Sequence, residues 1–193
     1  MKTKTALFLE KLKTVPKSYL SFVDLKKFYP GKKENLKVIL HRLVNQNKLI
    51  RVMKGYYVID LALLDWEQFA CELITPSYIS LEYALHQYGI IDQVPARLTL
   101  ITTKKSREFR LPTQVLEYSH FNPDLYFGYK IQGNFLIAEK EKALLDELYL
   151  ISLKKRHLSL KNLDLTTINK KLFNRWLKRF PSYTQKLAKE LDL

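Results

Sequence analysis

In the first sixty residues the apolar positions switch from a spacing of three and four to a spacing of two. That change predicts three helices followed by a hairpin. Leu7, Phe8 and Leu12 recur at helical spacing across positions 4–13. Ser21-Phe22-Val23-Asp24 has the form of a capping box, in which Ser21 accepts from the backbone and the Asp24 carboxylate reaches back. Leu25 and Phe28 give the helix that follows an apolar side, and Pro30-Gly31 stops it. From position 33 to about 47, Leu36, Leu40, Leu43 and Asn47 fall on one helical face, flanked by Ile39 and Val44. The opposite face holds Asn35, Val38, His41, Arg42 and Asn45, with Lys37 at its margin. Two β-rich runs, 49–53 and 56–59, are joined by Lys54-Gly55, a hairpin with glycine where a positive φ is needed. Tyr56 and Tyr57 alternate across the strand, so one is expected to pack inward and the other to face out.

Beyond position 60 helices and strands mix. A helix is predicted over 61–73, with Leu64, Phe69 and Leu73 inward and Asp65, Glu67 and Gln68 outward. Pro76-Ser77 breaks the chain, and Ser80 caps a helix with Leu81, Ala84, Leu85 and Tyr88 on one side and Gly89 at its close. Strands are predicted over 97–103, 115–121, 127–131 and 135–138, then a helix over 139–153 with acids at its start, where the helix dipole favours them. The expected fold class is α+β: a basic head over 1–60, then 61–193 as a small, mostly antiparallel sheet packed with helices. A helical tail starts at about 154. Its stretch 165–180 sets Ile168, Leu172, Trp176 and Leu177 against Lys170, Lys171, Arg175, Lys178 and Arg179, and Pro181-Ser182 opens a last short helix. Trp176 is read first as docking that helix onto its own domain. DNA, a membrane face and an acidic protein are the alternative contacts.

Charge sharpens this picture. The 193 residues carry 33 Lys+Arg against 19 Asp+Glu, a net +14 with pI ≈ 9.7. Positions 1–60 hold 14 basic and 4 acidic residues, 61–150 hold 8 and 12, and 151–193 hold 11 and 3. A basic head, a mildly acidic middle and a basic tail imply different partners for different segments, polyanions foremost. The one cysteine, Cys71, excludes a disulfide framework and a cysteine-based zinc site. No charge-free stretch exceeds nine residues, so no bilayer span and no membrane partner is expected. The N-terminal Met-Lys-Thr-Lys leads into only a short apolar patch, so the expectation is a cytoplasmic protein without a signal peptide.

Helices, turn, helix and basic hairpin in that order resemble bacterial winged-helix regulators. The likeness lies in Leu40-His41-Arg42-Leu43-Val44, Lys48-Leu49-Ile50-Arg51-Val52 and Lys54-Gly55-Tyr56-Tyr57. A helix fits the major groove of B-DNA and a basic hairpin can hold flanking phosphates. The candidate DNA contacts are Lys32, Lys33, Asn35, Lys37, His41, Arg42, Arg51 and Lys54. Asn35 suits adenine, Arg42 or Lys37 suits guanine, and Arg51 and Lys54 suit phosphate. His41 fits a base or phosphate contact as well as it fits an ordinary surface position. The alternative is an interaction module whose outward lysines are merely solvated.

No catalytic constellation emerges, and neither a cofactor nor a metal is expected. Gly31-Lys32 lacks the upstream glycine of a P-loop, and there is no His-Glu-x-x-His. His41, His86, His120 and His157 are scattered. Glu139, Glu141, Asp146 and Glu147 are the densest carboxylates, and Glu139-x-Glu141 is the nearest approach to a metal pair. They read as a solvated, acid-first helix start, leaving a metal-dependent nuclease as the residual enzyme reading.

Two further stretches resemble the central signature of AbiEi-type antitoxins, the regulators of type IV (abortive-infection) toxin–antitoxin loci. One is Pro76-Ser77-Tyr78-Ile79-Ser80-Leu81-Glu82-Tyr83-Ala84-Leu85 with Gly89-Ile90-Ile91. The other is Ile137-Ala138-Glu139-Lys140-Glu141-Lys142-Ala143-Leu144-Leu145-Asp146. Leu98-Thr99-Leu100-Ile101-Thr102-Thr103 lies between them, and with the head the likeness covers roughly 10–155. Tyr83 and Glu139-Lys140 depart from the small residues that the pattern favours. The resemblance implies a non-enzymatic phage-defence antitoxin. Its winged helix would bind inverted repeats in its own promoter, double-stranded DNA, and repress the operon, while its second domain neutralises a nucleotidyltransferase-like toxin. Relatives also act as solitary regulators, and a toxin-clamping protein that no longer binds DNA is the other alternative. A homodimer on DNA suits a helix-turn-helix protein, although no heptads supply a seam.

Overall fold

The computed structural model describes residues 4–191. The chain divides into two compact units, Met1–Phe69 and Ala70–Leu193. The first contains α1 (Lys4–Lys13), β1 (Leu20–Ser21), α2 (Phe22–Phe28), α3 (Lys33–Asn45), β2 (Ile50–Met53) and β3 (Tyr56–Val58). Its core is Phe8, Leu12, Leu20, Leu25, Leu36, Leu40, Leu43 and Leu49, drawn from α1, β1, α2, α3 and the entry to β2. Burying such aliphatic and aromatic side chains contributes about 1.5–3 kcal/mol each.

Local chemistry sets the boundaries here. The α2 capping box forms: Ser21 Oγ accepts from the Asp24 amide at 3.1 Å and an Asp24 oxygen accepts from the Ser21 amide at 3.1 Å. Helix α3 stops short of 47, because Asn47 turns to φ 52° and the Lys48 amide donates back to the Leu43 carbonyl. Asn47 is exposed and leaves the apolar stripe. The hairpin turns through Gly55 at φ +86° with a bulge between Arg51 and Met53. β1 was absent from the sequence pattern; its two residues join the far side of β3, giving the order β1-β3-β2. Tyr56 and Tyr57 are both half-buried, so the expected in–out split does not occur.

The helix expected over 61–73 is two pieces. A 3-10 turn at Leu61–Leu63 and α4 (Trp66–Leu73) are separated where Asp65 accepts from the Gln68 amide at 2.8 Å. The division between the units falls inside α4 rather than at 60. Phe69 packs edge-on against Tyr19, Tyr56 and Trp66 in the first unit. The Ala70 carbonyl accepts from the Tyr118 hydroxyl at 2.7 Å in the second.

The second unit is α+β. Its strands are β4 (Ser77–Ile79), β5 (Leu98–Thr102), β6 (Arg107–Arg110), β7 (Val115–His120), β8 (Tyr129–Gln132) and β9 (Phe135–Ala138). They form one six-stranded sheet in the order β6-β7-β5-β4-β9-β8. Three of its five strand pairings are antiparallel, in line with the expected mostly antiparallel sheet, while β5 runs parallel to β7 and β4 parallel to β9. β5 is buried along its whole length, as expected of a central strand covered on both faces. β4 and β6 were not foreseen; β6 is a largely exposed, charged edge strand without an apolar pattern. Among the described residues no helix is long and apolar enough to cross a membrane.

Among the described residues, four α-helices belong wholly to this unit: α5 (Leu81–Gln87), α6 (Lys140–Ser152), α7 (Lys170–Leu177) and α8 (Ser182–Ala188). α7 begins at Lys170 rather than 165, because Asn169 caps it by accepting from the Leu172 amide. Trp176 lies edge-on to Phe127 at 5.7 Å, so this helix docks on its own unit. α6 corrects the reading of the carboxylates. Glu141, Lys142, Asp146 and Glu147 are all buried beside Ala143, Leu144, Leu145 and Leu148, so these three acids are not solvated, while Glu139 is half-buried.

Lys142 and Asp146, one helical turn apart, form an ion pair with no solvent exposure. Asp146 also accepts from Ser80 Oγ at 2.8 Å and from the Tyr78 hydroxyl at 3.0 Å, while Lys142 donates to that hydroxyl at 2.8 Å. Ser80 therefore stands at the N-cap of α5 without capping it. Burial pushes the Lys142 ammonium down and the Asp146 carboxyl up, and their mutual attraction opposes both shifts. Lys142→Met or Asp146→Asn alone is expected to cost about 3–5 kcal/mol in urea unfolding. The double variant, which keeps an acceptor for Ser80 and Tyr78, should recover at least half of that loss.

Candidate nucleic-acid interface

α3 buries Leu36, Leu40 and Leu43, half-buries Ile39 and Val44, and turns the rest of its circumference outward. Beside it the β2–β3 hairpin leaves a groove of about 410 Å³. The groove floor is Phe22, Leu40, Val44 and Tyr57. Lys33, Lys37 and His41 line it from α3, Arg51 and Lys54 from the hairpin, and no acidic residue takes part. Lys33 Nζ stands 5.9 Å from the centre of the Phe22 ring, and His41 Nδ1 lies 3.4 Å from Asn45 Nδ2.

Lys32, Asn35 and Arg42 are placed differently. All three are exposed, Lys32 at the N-cap of α3 and the other two on its outer face, and none lines the groove. Among the described residues, none of the six lysines and arginines in the candidate set is paired with a carboxylate. Unpaired ammonium and guanidinium groups converging from two elements can hold a polyanion along its charged oxygens. The apolar floor was not read from the sequence, because Phe22 and Tyr57 meet α3 only through the tertiary fold.

The second unit treats its charges in the opposite way. Arg156 is ion-paired to Glu82, and to Glu117 at 2.6 Å. Arg97 bridges Glu117 at 2.9 Å and Glu108 at 2.7 Å, and Arg110 joins Glu108 at 2.8 Å. Glu82, Arg97, Glu117 and Arg156 line a pocket of about 440 Å³ with Lys155 and His157. Nearby Glu147 is buried with neither oxygen hydrogen-bonded. Burial, reinforced by the Glu82 charge and opposed by Arg156, pushes its carboxyl up to about 8. Arg156 reaches its partners across 74 and 39 residues of sequence, so no local pattern announced this cluster. Among the described residues no three His, Cys, Asp or Glu side chains are grouped to hold a metal ion.

Glu147 gives a pH dependence with a definite sign. The unfolded chain releases this proton near the ordinary value of 4.5, whereas the folded chain keeps it to about 8. Stability therefore falls as pH rises through that window, and below it both states hold the proton. Glu147→Gln should remove this contribution. Urea midpoints are expected to show the variant gaining on the parent chain from pH 5 to pH 8, and a constant difference would contradict the assignment.

No family model matches the chain, and no curated protein matches its sequence.

Proposed function

We propose that this chain is a DNA-binding transcriptional repressor of the cytoplasm whose first unit works as a winged helix-turn-helix. On this reading it is the antitoxin of a type IV toxin–antitoxin pair. It autoregulates its operon and neutralises a nucleotidyltransferase-like toxin. The observation that carries the DNA-binding part is the acid-free groove in which Lys33, Lys37 and His41 of α3 meet Arg51 and Lys54 of the hairpin. α3 enters the major groove by its exposed face, and the groove cations take the flanking phosphate backbone.

The antitoxin part rests on the resemblance of residues 76–91 and 137–146 to AbiEi-type proteins. Those two stretches meet in one buried network, in which Tyr78 and Ser80 of the first bond Asp146 of the second. That meeting supports treating them as parts of one shared fold, because each stretch needs the other to satisfy its polar groups.

The test is an anisotropy titration of the full chain against about 150 base pairs upstream of its gene, beside a scrambled duplex, at two salt concentrations. Binding restricted to the native fragment and surviving at ~150 mM salt is the expected result. Equal binding on both duplexes, lost with salt, would overturn the repressor reading. Arg42→Ala should cost about 1–3 kcal/mol on the native fragment and nothing on the scrambled one. Lys54→Ala should weaken both alike and lower the salt slope by about one.

A further inference from the structure

The outer face of α3 carries a second, narrower pattern. Asn35, Val38, Arg42 and Asn45 recur at i, i+3, i+7 and i+10, and all four are exposed. They form a stripe on the side of α3 away from buried Leu36, Leu40 and Leu43. Val38, in the middle of the stripe, is 50% exposed and lines no groove. A single exposed valine is ordinary on a protein surface. Here it sits one turn from a carboxamide on one side and one turn from a guanidinium on the other, next to a groove of unpaired cations.

From Asn35 to Arg42 the helix rises about 10 Å, the length of about three base-pair steps. Across the major groove each base pair shows its own set of donors and acceptors, and thymine adds a C5-methyl group that only apolar side chains read. A carboxamide suits adenine and a guanidinium suits guanine, so a branched aliphatic between them suits thymine.

We infer that Val38 is a specificity-determining residue that reads the 5-methyl group of a thymine at the centre of the bound half-site, between the base pairs contacted by Asn35 and Arg42. This rests on the DNA-binding reading of the same helix, and it names what the sequence selectivity consists of. The contact is uncharged. It therefore discriminates between sequences without adding to the salt dependence, which belongs to the phosphate contacts.

The experiment replaces each thymine of the bound segment in turn by deoxyuridine, which removes the methyl and leaves base pairing intact. The full chain and its Val38→Ala variant are titrated against each duplex. Alanine is the better helix former and the position is exposed, so the variant should keep the parent circular dichroism spectrum. For the parent chain, one uracil position per half-site is expected to weaken binding about fourfold, the loss of one methyl-sized contact. For the variant, that position should have no effect while the salt slope stays unchanged. If no uracil weakens the parent although native-sequence binding persists, or if the variant remains equally sensitive, Val38 does not read thymine and the DNA-binding reading stands. If the parent does not distinguish native from scrambled duplex, both fall together.

Discussion

The second unit depends on keeping one ammonium out of water. Lys142 has no solvent exposure, and removing a charge from water costs several kcal/mol unless it is matched on every side. Asp146 supplies the opposite charge, Tyr78 supplies an acceptor, and the rings of Tyr78, Phe121, Phe127 and Phe180 stand 4.9–5.4 Å from Nζ. Those groups come from β4, the ends of β7 and α7, and the approach to β8, so a single cation fixes how separate elements meet α6. Gly128 belongs to the same requirement. It holds φ +70°, and a Cβ there would lie 3.1 Å from the Lys142 stem. Only glycine offers both the conformation and the space.

The two units handle charge by different rules, and the difference explains the composition better than the totals do. In the acidic middle of the chain, Glu82, Glu108, Glu117 and Asp146 are engaged by Arg97, Arg110, Arg156 and Lys142. These pairs range from the fully buried Lys142–Asp146 to the partly exposed pairs of Glu108. In the first unit, Asp24 is committed to its capping box and Asp60 accepts from the Ala62 amide. Neither lines the groove, and among the described residues its cations pair with no carboxylate. A groove that concentrates one sign of charge focuses its field on an approaching polyanion.

What was legible in the sequence was what nearest neighbours decide. Ser21 and Asp24 announced their own box, Gly55 its turn, and Leu36, Leu40 and Leu43 the buried face of α3. Failures came where distant groups decide. β1 exists because β3 recruits two residues into pairing, and Ser80 leaves its cap because Asp146, 66 residues away, offers a buried acceptor. Glu141, Asp146 and Glu147 looked solvated because periodicity cannot tell a wet polar face from a buried polar one. At the candidate interface the residue types were readable, but which ones share a groove depends on where the hairpin lies beside α3. That position separates Lys33, Lys37, His41, Arg51 and Lys54 from Lys32, Asn35 and Arg42.

That separation suits a division of labour on DNA. On the proposed reading, cations in the groove would grip without reading, because every phosphate is alike, and the stripe on the outer face would read because base edges differ. The start of α3 fits the same scheme. Lys32 occupies the N-cap with no side-chain hydrogen bond to the helix, and Lys33 follows it. Two cations at the positive end of a helix oppose its dipole, and Glu34 is the only acid in that first turn. A helix begun in this way is weakened at its N-terminus. On the proposed DNA-binding reading, a backbone phosphate beside Lys32 and Lys33 would balance both charges, so the local cost to folding would become a gain on binding.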